Sequence, residues 1–228
     1  MTETTPRTAA ADKPVRKKHR PRAGTAQRRQ EILDAAMKVF ATKGFHAGTL
    51  NDVAELVGMT HAGVLHHFGS KENLLQAVID HRDSVDSSEA HAAYGLDFFK
   101  HLIATATLNA TRPGIVQTYV VLSAEAVTDG NPGADYFTGR FEGLRELVVS
   151  QLRALTPSDD PLSDKELNSA ASNIIALMDG LQVQWLLNPD SVDLVDATVF
   201  GINAIVARVI AGGSAHPVLT GPDSPDQS

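Results

Sequence analysis

Apolar residues recur along this chain at intervals of three and four, and no alternating stretch of useful length interrupts them. The pattern predicts an all-α protein. A first amphipathic segment, with Ile32, Ala36, Val39 and Phe40 on one face, is closed by Gly44 and followed by Phe45. Residues 49 to 71 then predict two short helices hinged at Gly58. Thr49 is a helix-start residue, and Asp52 three positions on can reach back to the freed backbone amides, a capping-box variant. Val53, Leu56 and Val57 give the first of these helices its apolar face. Gly58 supplies a left-handed turn that a side chain with a Cβ resists. Thr60 restarts the chain as the N-cap of the second helix, which Val64, Leu65 and Phe68 can hold down. Ser70 caps a longer helix running to about Asp86, and Lys71 stands near its N-terminus.

Further helices are predicted downstream. One, starting at Ala90, breaks at Arg112-Pro113-Gly114, and the next, from Ile115, stops at the turn residues 129–133. Another runs from Ala134 to Leu155. After a solvated loop, Ser163 and Glu166 form a capping box for a helix that ends at Asn188-Pro189. The last helix spans about 192 to 211 and is apolar nearly all round, with Asn203 and Arg208 as the main interruptions. A helix apolar on all sides must be covered on all sides. A second subunit supplies that cover most readily, and a central position in a monomer core is the alternative. A Gly/Pro/Ser tail, 212–228, is expected to be disordered.

Composition narrows the picture. A chain of 228 residues can hold a sizeable core, and no run of apolar residues is long enough for a membrane span. The N-terminus has no apolar region of the secretory type, so a cytoplasmic protein is expected. The absence of cysteine excludes disulfides, thiolate metal sites and thiol nucleophiles together. Net charge is −7, but it is unevenly spread. Residues 1 to 30 carry nine basic against two acidic residues, a net +7, which leaves −14 for the rest. Residues 1–23 therefore read as a disordered basic arm, and Arg16, Lys17 and Lys18 are its densest cations. Such an arm suits phosphates or a minor groove; a solubilising tail is the plainer reading.

Two short helices joined at a glycine have the form of a helix-turn-helix. The flanking motifs make a specific resemblance: RRQEILDAAMKVFATKGFHAGT upstream, T-x-x-x-V-A at Thr49–Ala54, and HHFGSK at 66–71. Over about residues 27 to 80 the chain resembles the N-terminal DNA-binding domain of the TetR/AcrR family of bacterial transcriptional regulators. The resemblance implies a helix-turn-helix domain at 24–70 and a helical ligand-binding and dimerisation domain at 71–211. It further implies a homodimer formed through the last two helices, a double-stranded DNA operator and a small-molecule effector, with no other cofactor. The expected reader is the helix from Thr60 to Phe68. His61 can meet a base edge, Ala62 a thymine methyl group, and Gly63 a place where helix and DNA approach closely. Thr49, Lys71 and the Ser70 helix start suit phosphate. Leu65 stands where the family commonly has a phosphate-contacting Tyr, and Gly63 where it often has Thr or Ser. His66 lies where it often keeps an aromatic phosphate contact, and His67 where the matching residue usually faces the core.

Candidate effector-pocket walls are Phe98, Leu102, Tyr119, Leu122, Phe137, Phe141, Met178 and Trp185, with Gln117, Asn173 and Gln182 as orienting polar groups. The nine histidines show no metal-ligand spacing; His66 and His67 are adjacent and point about 100° apart on a helix. No metal site is expected. An α-helical enzyme would need a nucleophile pair or phosphate loop, and neither GxSxG nor a P-loop is present. A DNA-binding architectural protein without an effector is the remaining alternative.

Overall fold

A computed structural model describes residues 23–86 and 93–214. Among the described residues there are nine helices and no strand. They are α1 Ala23–Ala47, α2 Leu50–Leu56, α3 His61–Phe68, α4 Lys71–Asp86, α5 Leu96–Ala110, α6 Pro113–Glu125, α7 Ala134–Arg153, α8 Asp164–Leu187 and α9 Leu194–Ile210. No helix among them is long and apolar enough to cross a membrane. The basic arm, with Arg16, Lys17 and Lys18, lies outside the described residues, as does the tail from residue 215.

Two apolar clusters organise the chain. The first gathers Ile32, Ala36, Val39 and Phe40 of α1 with Val53 of α2, Val64 and Phe68 of α3, and Leu74 and Val78 of α4. It does not end with the N-terminal helices: Tyr119, Leu122, Ala126 and Phe137 of the body belong to it. The second joins Phe98 and Phe99 of α5, Val148 and Leu152 of α7, Ile174 of α8, and Ile202, Val206 and Val209 of α9. The head is thus bonded to the body chiefly through α1 against α6. There Thr118 donates to the Met37 carbonyl at 3.3 Å and Gln117 to the Ala41 carbonyl at 3.2 Å.

Local chemistry sets the helix starts. Thr49 with Asp52, and Ser163 with Glu166, close reciprocal capping boxes. Asp193 caps α9 by accepting from the Val195 and Asp196 amides. Pro113 opens α6 at its first turn, where a missing N–H costs nothing. Gly44 interrupts α1 at φ 73, ψ 177, turning the chain so that Phe45 enters the head core, 5.8 Å from Phe40 between ring centroids.

Three expectations need correction. Leu56 is 59% exposed rather than core, because it ends the short α2 and falls outside the arc of Leu50, Val53 and Ala54. α5 begins at Leu96, after Gly95 at φ 60, whose N–H is taken by the buried Gln151 side chain at 2.8 Å; residues 90–92 of the predicted helix lie outside the described residues. Residues 212–214 are held to the body: the Gly213 N–H donates to the Asp160 carbonyl, and Ser214 donates through N–H and hydroxyl to its carboxylate.

Candidate DNA interface and central cavity

The N-cap Thr60 accepts from the Gly63 amide at 3.1 Å, so α3 starts where the sequence pattern puts it. Val64 and Phe68 are buried, whereas His61, Ala62 and His66 face solvent. His61 Nδ1 lies 2.8 Å from Asn51 Oδ1 on α2. A carbonyl oxygen at that distance can accept the proton of Nδ1 and so hold the ring against α2. Gly63 is partly covered, since a Cβ there would meet the flexible end of Met59 at 2.9 Å. Leu65 is packed against the head core and is not an outward replacement for a phosphate-contacting phenol. His67 is half-buried, and its carbonyl accepts from Arg29 at 2.8 Å while that guanidinium lies 3.9 Å over Phe68. Arg29 therefore clamps the C-terminal end of α3 to α1.

Lys71 is committed inside the head as well. Its ammonium donates to the His46 carbonyl at 3.2 Å and lies 4.4 Å over the Phe45 ring. Lys43 pairs with Asp52 at 2.7 Å, and Arg28 with Glu31 at 2.6 Å. The sequence reading missed Arg29 and Asn51, whose partners lie on other helices.

Asp52 joins two tasks. One carboxylate oxygen takes Lys43; the other takes the Thr49 amide and hydroxyl, both at 2.8 Å. The Lys43 hydrogen bond first, then those from Thr49, lower its pKa from 3.8 to about 2. A carboxylate held low stabilises the fold above its unfolded pKa and stops doing so as pH falls through the folded value. The Asp52→Asn variant should therefore be less stable than the parent at neutral pH. The two should converge as pH falls from 3.8 to about 2, which paired thermal melts across that window check.

Behind the head, residues of α5, α6, α7 and α8 line a partly open cavity of about 740 Å3. Phe98, Leu102, Tyr119, Met178 and Gln182 line it, together with His101, Thr105, Asn109, Asp135, Tyr136, Arg140, Leu144, Leu147, Val148, Ile174, Ile175 and Asp179. The Arg140 guanidinium lies 5.4 Å over the Tyr119 ring. Asn109 is buried, with its carbonyl oxygen taking the Arg112 guanidinium at 2.8 Å. Gly139 and Gly143, one turn apart on α7, also face the cavity, and a Cβ on either would meet nothing within 4 Å.

The other expected wall residues lie elsewhere. Leu122 and Phe137 are buried in the head-side cluster and Phe141 packs against it. Gln117 is spent on the Ala41 carbonyl, Asn173 is exposed on α8, and Trp185 is half-buried outside the cavity lining. Among the described residues no group of three or more potential ligands is arranged to hold a metal.

Cavity and head are joined through the loop between α6 and α7. The Phe45 N–H donates to the Glu125 carboxylate at the end of α6. His46 Nε2 lies 3.4 Å from both the Thr128 hydroxyl and the Asn131 amide. Asn131 in turn accepts from the Gly133 amide at the start of α7 at 2.8 Å. Both helices flanking this loop carry cavity-lining residues, Tyr119 on α6 and Tyr136 on α7.

Known proteins show the same division of the chain. The family described as bacterial regulatory proteins, tetR family, matches residues 32–78, and that of BetI-type transcriptional repressors, C-terminal, matches residues 100–211. The HTH-type transcriptional regulator TtgR of Pseudomonas putida is 28% identical over 182 residues, covering 73% of this chain and 83% of that protein. The regulator BetI of Rhizobium meliloti is 26% identical over 203 residues, covering 82% and 91%. Among solved structures, a transcriptional regulator from Rhodococcus sp. Rha1 superposes with a TM-score of 0.65 at 16% identity over 83% of this chain and 99% of its own. SmeT in complex with triclosan gives 0.63 at 17% over 86% and 100%. At those identities the structures speak for the fold alone. With a helix-turn-helix head matched by one family and the helical body by the other, this chain belongs to the TetR family of bacterial DNA-binding transcriptional regulators.

Proposed function

We propose that this regulator is a homodimeric repressor that leaves its operator when a small molecule fills the cavity among α5, α6, α7 and α8. The observation that carries this reading is the grip of Glu125 on the Phe45 amide. It ties an element that walls the cavity to the turn leading into α2 and α3. A ligand that spreads α6 from α7 pulls on that turn, and linkage makes operator DNA weaken ligand binding by the same factor. SmeT, a repressor of similar fold, is known with triclosan bound, and TtgR and BetI are regulators of comparable length. The cavity itself counts against an architectural protein with no effector. The test is transcription in vitro from a promoter overlapping a selected operator. Added protein should lower transcript yield; unchanged or raised yield would refute repression.

In this reading α3 supplies specificity. His61 Nε2 accepts from an exocyclic amino group, adenine N6 or cytosine N4, with Asn51 fixing the tautomer, and Ala62 and Gly63 approach the groove. Because Arg28, Arg29, Lys43 and Lys71 are engaged within the head, the arm with Arg16, Lys17 and Lys18 supplies most of the added phosphate neutralisation. Thr49 and the exposed His66 lie beside the groove as backbone contacts. The His61→Ala variant should relax preference at one position per half-site and cost about 1–3 kcal/mol at most. Asn51→Ala should lose less affinity and blur the same position. Site selection on both variants at one salt concentration checks this, and an unchanged profile for His61→Ala removes it as reader.

Gly143→Leu should fill part of the cavity. Replacing a mid-helix glycine gains about 0.5–1 kcal/mol of helix stability, so the variant should melt above the parent. It should bind operator as the parent does and fail to respond to any inducer the parent obeys.

A further inference from the structure

We infer that the molecule this cavity takes is mainly apolar, carries no negative charge, and donates a hydrogen bond through a hydroxyl or N–H group to Gln182 Oε1. The inference rests on reading the cavity as the effector site and adds the chemistry that site selects. Gln182 is only 5% exposed, and its Oε1 is buried with no hydrogen-bond partner among the described residues. Buried acceptors of this kind are nearly always satisfied in folded proteins, by protein or by a bound molecule. Gln182 follows Met178 by four residues and Ile175 by seven on α8, so the three share the face that lines the cavity. Phe98 and Leu102 stand on α5 as further apolar lining. A ligand occupying that wall exchanges apolar surface for contact with these side chains, and its donor meets Oε1, the buried side-chain oxygen that lacks a partner among the described residues.

Negative charge is selected against by the same lining. Its formally ionised side chains are Asp135, Asp179 and Arg140, so two carboxylates face one guanidinium. A buried anion finds no surplus positive charge to offset its lost hydration. A carboxylate ligand also brings no donor for Gln182 Oε1. A hydroxyl or amide N–H matches it one to one.

Three matched probes test this on the full chain: 4-phenylbenzyl alcohol, its methyl ether, and 4-phenylbenzoate, each titrated calorimetrically at neutral pH. The alcohol should bind about tenfold more tightly than the ether, because a site built around a hydrogen bond rejects the analogue lacking it. In Gln182→Leu the two should bind alike, with the ether no weaker than in the parent. An alcohol-to-ether ratio near one in the parent, or a ratio unchanged by Gln182→Leu, overturns the inference. So does tightest binding of the carboxylate. The parent's ratio decides even if the variant folds poorly. Gly143→Leu separates this failure from failure of the cavity as a site. If it blocks all three probes while alcohol and ether bind the parent equally, only the donor inference falls. If probe binding survives Gly143→Leu undiminished, the probes bind elsewhere and the cavity reading falls with it.

Discussion

Phe200→Asp should convert the protein from the mass of two chains to that of one 24.3-kDa chain and strip it of most of its operator affinity. Phe200 is 79% exposed on α9, an unusual position for a phenylalanine with nothing to cover it. It is not isolated. Ala204, Ala207, Ile210 and Ala211 continue an exposed stripe at helical spacing, and Ala176, Val183 and Leu187 form a second on α8. α8 and α9 pack so closely that a Cβ at Gly201 would overlap Leu177, so the two stripes belong to one surface. In the proposed homodimer a second copy related by a two-fold axis would cover this surface with itself. A carboxylate at its centre is buried unpaired on association, a cost that dissociates the pair. Loss of dimerisation also removes the second half-site contact, which linked binding makes worth roughly 10²–10⁴ in affinity. Analytical ultracentrifugation and operator titration of the same preparation check both halves. A dimer with parental affinity would place the interface elsewhere.

Gly44→Ala should be the most damaging single-methyl change in the chain. At φ 73, ψ 177 the backbone occupies a region open to glycine almost alone, and any other residue there costs about 1–3 kcal/mol. The added Cβ would also overlap the Glu125 carboxylate that holds the Phe45 amide. Displacing that charged acceptor removes a further ~1.5–3 kcal/mol. A total of about 3 kcal/mol lowers Tm by roughly 6–12 °C for a chain of this size. Operator binding should weaken too, since the displaced turn leads directly into α2 and α3. Glu125→Ala relieves the overlap but not the backbone strain, so the double variant should lose less than the sum of the single ones. Melting the three variants side by side checks this, and strict additivity would mean that the carboxylate and the turn are uncoupled.

Helix starts are legible in this sequence because their chemistry is local. Thr49 with Asp52, Thr60, and Ser163 with Glu166 bond within three residues of themselves, and each cap is found where spacing puts it. The cavity lining is less legible, because α8 has two apolar faces. Ile174, Ile175 and Met178 face the cavity, while Ala176, Val183 and Leu187 lie on the open side. Periodicity alone does not say which face meets which neighbour, so Asn173 and Trp185 are expected in a wall to which α8 instead brings Asp179, beside the expected Met178 and Gln182. The α7 wall did leave a signal: Gly139 and Gly143, one turn apart, have no helical purpose except to leave space. The grip of Glu125 on Phe45 spans 80 residues and leaves no trace in spacing.

Two copies of this chain should read one symmetric duplex through α3. Selection of binding sites by the full-length protein from a random duplex pool, at one fixed salt concentration, tests it most directly. The expected result is enrichment of an inverted repeat, bound by two chains, whose preference blurs at one position in each half when His61 is replaced by Ala. Enrichment of no sequence, or of a single half-site bound by one chain, would contradict it.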